Sequence, residues 1–158
     1  MHSVKPWDSD SAWTVIREHL KTEGAVLPIL HALQHTFGFI HEDAVPMVAD
    51  ALNLTRAEVH GVVTFYHDFR RELPGRHMLQ LCRAEACQSR GADELAEHAQ
   101  QALGLRWGET TSDGSITLAP VFCLGLCACA PSAMLDGKPI GRLDRQSLDS
   151  LLDGVSKR

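Results

Sequence analysis

The sequence predicts an α+β protein, with a helical first half and a second half in which strands alternate with helices. Three observations predict it. Apolar residues up to about position 70 recur at helical three- and four-residue spacings. A polar stretch, "RRELPGR" at 70–76, then interrupts the chain at Pro74-Gly75. Beyond it the segments run strand, helix, strand, strand, helix, an order that suits a small open sheet with helices packed on it. Two domains are therefore expected, a helical bundle over 1–72 and a sheet-bearing domain over 76–158.

The first helix is expected to be capped by Ser9, Asp10 or Ser11, with Trp13, Ile16 and Leu20 on one face. Pro28 suits the first turn of the second helix, where its missing N–H costs nothing. Ile29, Leu30, Leu33 and Phe37 form that helix's inward stripe, and Gly38 supplies the stop. Val45, Val48, Ala49 and Leu52 repeat the pattern up to Asn53. "TRAE" at 55–58 is a capping box in which Thr55 and Glu58 satisfy each other's backbone N–H. Val59, Val62, Val63 and Tyr66 then point inward from a fourth helix. Each Val or Leu buried this way contributes roughly 1.5–3 kcal/mol.

In the second half, "HMLQL" (77–81) reads as a strand and "GADELAEHAQQAL" (91–103) as a helix ended by Gly104. "SITLAPVF" (115–122) is a strand. "SAMLDGKPIGRL" (132–143) is a hairpin turning on Asp136-Gly137. Asp144 caps a last helix with Leu148, Leu151 and Leu152 inward and Gly154 as its stop.

With 158 residues the chain buries roughly 68–70% of its unfolded surface, so it needs no disulfide staples. A net charge of −5 with scattered Lys and Arg is a poor footprint for nucleic acid. The opening "MHSVKPWDSDSAW" has acids where a leader needs an apolar run. That feature and five cysteines, an odd number, point to a reducing, cytoplasmic setting. Residues 114–135 carry no charge, but Pro120 and Pro131 would break a spanning helix. The run reads instead as strand, loop and strand, and no membrane span is expected.

The chemistry lies in the cysteines. Cys82 and Cys87, in "CRAEAC", follow the first strand of the second half. Cys123 and Cys127, in "CLGLC", follow its second strand. If those strands are neighbours, the two loops face each other and four thiolates converge. Soft thiolates select zinc or iron–sulfur clusters. Structural zinc commonly uses tighter pairs, whereas these wider loops suit a two-iron cluster with each iron taking two cysteines. Zinc, or four reduced core cysteines, remain the alternatives on spacing. Gly125, Ala84 and Ala86 allow backbone N–H groups close to the sulfurs, and Val121, Leu124 and Leu126 are placed to exclude water. A Cys-x-x-Cys dithiol is missing, and no histidine lies in the cysteine loops to make a Rieske-type site.

Three stretches carry a family resemblance: "LPILHALQHTFGFI" (27–40), "EVHGVVTFYHDF" (58–69) and the pattern Cys-x4-Cys … Cys-x3-Cys. On these the chain resembles the thioredoxin-like [2Fe-2S] ferredoxin subunits of NAD-linked oxidoreductases, over roughly residues 24–153. These are the small peripheral subunit of complex I, its counterpart in bidirectional hydrogenases, and the gamma subunit of NAD-dependent formate dehydrogenases. "CRAEACQSRG" and "CLGLCACAP" look most like the formate dehydrogenase branch.

The resemblance implies a thioredoxin-like α/β domain with a small mixed sheet after the helical bundle. It implies one [2Fe-2S] cluster on Cys82, Cys87, Cys123 and Cys127, exchanging single electrons with FMN on an NAD-binding flavoprotein partner. A larger molybdenum subunit would oxidise formate to CO2, while this chain carries electrons and performs no bond chemistry. The helical half would dock on the partners. The alternative is the same role in complex I NADH-quinone oxidoreductase or a bidirectional NAD-linked hydrogenase.

Cys129 falls outside the four-ligand pattern and is expected to be a buried or partly buried packing neighbour. Arg83 and Arg90 flank the first pair and either offset cluster charge or are solvated. His31, His35, His60 and His67 lie at helical spacings without a carboxylate in register, which favours a polar surface over a metal face. A rival of another class is an iron–sulfur redox-sensing DNA-binding regulator, since "VADALNLTRAEVHGVV" (48–63) has helix-turn-helix spacing. Its Val-rich second helix offers few side chains that read bases.

Overall fold

The computed structural model describes residues 4–156. The outer limits of the two expected domains, residues 1 and 158, lie outside the described residues. The chain divides into two compact units, one ending at Leu73 and the other beginning at Pro74.

The first unit is helical: α1 (Ser9–His19), α2 (Val26–Phe37), α3 (Ala44–Leu52) and α4 (Arg56–Phe65). Ile16, Ile29, Leu30, Leu33, Phe37, Val48 and Val59 are fully buried and form its centre. Gly38 ends α2 at φ 82°, a conformation costly for other residues, and donates its N–H to the Gln34 carbonyl. The Thr55–Glu58 capping box starts α4 with both reciprocal bonds present. Buried Gln34 closes the unit: its amide donates to the Asp68 carbonyl at 2.8 Å and its Oε1 accepts from the Arg70 N–H at 2.7 Å.

Three expectations for this unit need correcting. The cap of α1 is Asp8, whose carboxylate accepts from the Ser11 N–H, because Ser9, Asp10 and Ser11 already lie inside the first turn. Tyr66 is exposed, because α4 stops at Phe65 and the backbone turns extended there. Leu20 is exposed at the frayed end of α1, and Trp13 is only half-buried.

The second unit comprises β1 (His77–Cys82), a short α5 (Glu85–Gln88), α6 (Ala92–Leu103), β2 (Ile116–Val121), β3 (Ser132–Leu135), β4 (Lys138–Gly141) and α7 (Arg145–Ser156). The sheet order is β2-β1-β3-β4. β1 runs parallel to β2 and antiparallel to β3, and β3 is antiparallel to β4, so the sheet is mixed. Leu79, Leu81, Ile116, Leu118 and Ala133 meet Ala96, Ala99, Leu148 and Leu152 of α6 and α7 in one core. His98 Nε2 and Asp149 Oδ1, 2.6 Å apart, link the two helices at the surface.

Asp136 and Gly137 take φ of 50° and 78°, the left-handed pair that a tight hairpin turn demands. Gly154 does not stop α7. The helix runs to Ser156, because buried Val155 draws its last turn into the core. Residues 114–135 fold as β2, a loop and β3, and no described helix is long and apolar enough to cross a membrane.

Candidate metal centre

The parallel register sets the site. Cys82, the last residue of β1, lies opposite Val121, the last of β2. The Arg83 N–H donates to the Val121 carbonyl at 2.8 Å and carries the pairing one step further. Both cysteine loops therefore leave the same edge of the sheet, at the carboxyl ends of its two parallel strands. Crevices at such ends are where open sheets that contain parallel strands bind their ligands.

After Cys82 the chain turns through Ala84 into α5, which carries Cys87 back toward the strand end. Cys82 and Cys87 are each 2% exposed and pack in a small apolar cluster with Ala92 and Ala130, flanked by Ala84, Val121 and Leu124. After Val121 the second loop passes Phe122, which is largely exposed, and reaches Cys123 at φ 86°. A positive φ on a residue with a Cβ is uncommon and aims this sulfur differently from an extended backbone. Gly125, at φ 74°, reverses the chain and donates its N–H to Cys123 Sγ at 3.4 Å. A 3₁₀ turn, Cys127–Cys129, brings Cys127 Sγ to 3.9 Å from Cys123 Sγ.

The thiols are shifted in opposite directions. Burial pushes the Cys82 thiol up, but hydrogen bonds from the Ala84 backbone, the Cys87 side chain, the Cys123 backbone and the Ser132 hydroxyl leave it lowered overall. Cys127 is raised, first by its hydrogen bond and charge contact with Cys123, then by desolvation, and last by the charge of Cys87. The parallel pairing of β1 with β2 places the loops that carry all four predicted cysteines at one end of the sheet.

The arrangement suits a two-iron cluster. It offers four soft thiols in two pairs, with the Gly125 N–H donating to Cys123 Sγ. Pairs of thiolates, one for each iron, are what such a cluster uses. When bound, it supplies one-electron storage.

Shielding is one-sided. Val121 and Leu124 cover the buried pair, but Cys123 and Cys127 are exposed, so the expected exclusion of water by Val121, Leu124 and Leu126 holds for half the site. Arg83 pairs with Asp93 at 2.9 Å and lies over the Trp107 ring at 5.5 Å, while Arg90 is exposed. His31, His35, His60 and His67 are exposed, and His31 packs on the Phe69 ring. Sequence reasoning missed Ser132, whose buried hydroxyl lies 3.5 Å from Cys87 Sγ. Its one visible signal was a polar residue at the start of an apolar strand.

Comparison with known proteins agrees with this geometry. Residues 12–156 match the thioredoxin-like [2Fe-2S] ferredoxin family. An NADH-quinone oxidoreductase subunit from Pseudomonas aeruginosa is 35% identical over 133 residues, covering 84% of this chain and 76% of the relative. An NADH-quinone oxidoreductase subunit from Rhizobium meliloti is 39% identical over 129 residues, 82% of this chain and 77% of the relative. Among solved structures, the NAD+-reducing [NiFe]-hydrogenase in its air-oxidised state aligns with a TM-score of 0.70 and 25% identity. That match covers 84% of this chain but spans only 23% of the hydrogenase chain.

Proposed function

The chain belongs to the thioredoxin-like [2Fe-2S] ferredoxin family, and on that premise we propose that Cys82, Cys87, Cys123 and Cys127 hold one two-iron cluster that relays single electrons within an NAD-linked oxidoreductase. The observation that carries the proposal is the parallel pairing of β1 with β2, which delivers both cysteine loops to one sheet edge.

The chain's own residues divide the work. Cys82 and Cys87 form the buried half of the site, and the Ser132 hydroxyl beside Cys87 and the Gly125 N–H on Cys123 offset negative charge at the sulfurs. With four thiolates, the formal charge of such a cluster is about −2 and falls to about −3 on reduction, so these donors favour the reduced form. Cys123 and Cys127 form the solvent-facing half, which is where electrons enter and leave. The partner is a flavoprotein that binds NAD and FMN and handles the hydride, and the helical unit serves docking.

The names of the relatives favour an NADH-quinone oxidoreductase or NAD-reducing hydrogenase assembly, and that is the main reading. The formate dehydrogenase reading, with its molybdenum subunit, rests on the loop sequences "CRAEACQSRG" and "CLGLCACAP" alone and becomes the second one.

The test is anaerobic purification followed by EPR spectroscopy after dithionite. The expected result is a spin from a reduced two-iron centre with about two iron per chain. Bound zinc with no signal overturns the proposal. Identifying the partners that co-purify, by mass spectrometry and metal analysis, separates a quinone- or hydrogen-linked complex from one containing molybdenum. Sequence-specific retention of DNA in a gel shift would instead revive the regulator.

A further inference from the structure

Ser132 is a polar side chain in an apolar place. It opens β3, is 3% exposed, and its backbone faces Gly141 across the β3–β4 pairing. Its Oγ lies 3.5 Å from Cys87 Sγ. A buried hydroxyl without a partner costs about 1–3 kcal/mol, and among the described residues this one finds sulfur.

The direction of the bond follows from the chemistry of the ligand. A neutral thiol can donate or accept, but a metal ligand is a thiolate, which can only accept. Once Cys87 binds metal, Ser132 must be the donor. Hydrogen bonds to ligand sulfurs are among the factors that set cluster potentials. A donor stabilises the more negative state and so favours reduction.

We infer that Ser132 is a positioning residue for the buried cysteine pair, its hydroxyl donating to Cys87 Sγ and raising the reduction potential of the centre. The inference rests on the ligand assignment proposed above. Exposed Cys123 receives a different donor, the Gly125 N–H, so the two halves of the site are tuned separately.

The test is an anaerobic redox titration of the full chain followed by EPR, comparing the parent with S132A and S132T. S132A should shift the reduction equilibrium toward the oxidised form on the order of tenfold, about 59 mV for one electron. S132T, which keeps the hydroxyl, should stay near the parent. Loss of the centre from S132A with retention in S132T also supports the inference. An unshifted S132A, equal shifts in both variants, or loss of iron from both overturns it and leaves the cluster reading standing. Absence of a two-iron signal in the parent overturns the cluster reading instead.

Discussion

Cys129 and Gly141 occupy adjoining space with no room for another atom: a Cβ on Gly141 would lie 2.7 Å from Cys129 Cβ and 3.1 Å from its carbonyl oxygen. The Arg142 N–H donates to that same carbonyl at 2.6 Å. Cys129 is therefore the contact through which β4 braces the second cysteine loop, and its half-buried position agrees with a packing role. Gly141→Ala is expected to destabilise the sheet-bearing unit by roughly 1–3 kcal/mol, the usual cost of overpacking. Urea unfolding followed by far-UV circular dichroism measures it, and an unchanged midpoint would mean that the loop yields freely.

Single alanine replacements sort the thiols. Cys82→Ala, Cys87→Ala, Cys123→Ala and Cys127→Ala should each abolish or distort the EPR signal and lower bound iron. Cys129→Ala should retain both. Loss of the signal in Cys129→Ala would falsify the four-ligand assignment.

Gln34 reports on the helical unit. Gln34→Ala leaves the Arg70 N–H and the Asp68 carbonyl without their side-chain partner. The expected cost is about 1–2 kcal/mol, from two part-buried hydrogen bonds lost. Hydrogen exchange of the Arg70 amide gives a local readout, and it should speed up well before the amides at the centre of α2. Equal protection in parent and variant would show that the clamp contributes nothing.

Asp113 makes the second unit acid-sensitive. Its carboxylate accepts from the Thr111 hydroxyl at 2.6 Å and from the Ser115 hydroxyl and N–H at 2.7 and 3.0 Å. These bonds hold it down at about 2, below the roughly 3.9 of an unstructured chain. A depressed carboxylate stabilises the fold at pH values above its unfolded value and loses that contribution as pH falls toward the folded one. Asp113→Asn should therefore flatten part of the loss of thermal stability between about pH 4 and pH 2. An unaltered acid profile in that variant counts against it.

The features read correctly from sequence were those made by neighbours in the chain. The Thr55–Glu58 box, the Gly38 stop and the Asp136-Gly137 turn each need only a few residues. The misreadings came where local signals competed or where tertiary packing overrode them. Four residues around Asp8 can all cap a helix, and only the path of the chain selects Asp8. Gly154 is a helix breaker by propensity, but burial of Val155 outweighs a penalty of about 1 kcal/mol. Tyr66 fits the apolar period of α4, yet the helix ends before it.

The same division runs through the site. The sequence alone names the proposed donors: two cysteine pairs, each in a loop after a strand, with small residues that admit backbone N–H groups. Tertiary structure decided what the pairs become. The parallel register of Cys82 with Val121 joins segments far apart in the chain, and no local pattern specifies such a contact. It also buries Cys82 and Cys87 while leaving Cys123 and Cys127 in solvent, although all four are the same residue type. The place of Ser132 beside Cys87 was decided only there, because β3 pairs with β1 and sets its hydroxyl near that sulfur. Residue types determine which chemistry is possible, and long-range pairing determines the dielectric and the hydrogen bonds in which it runs.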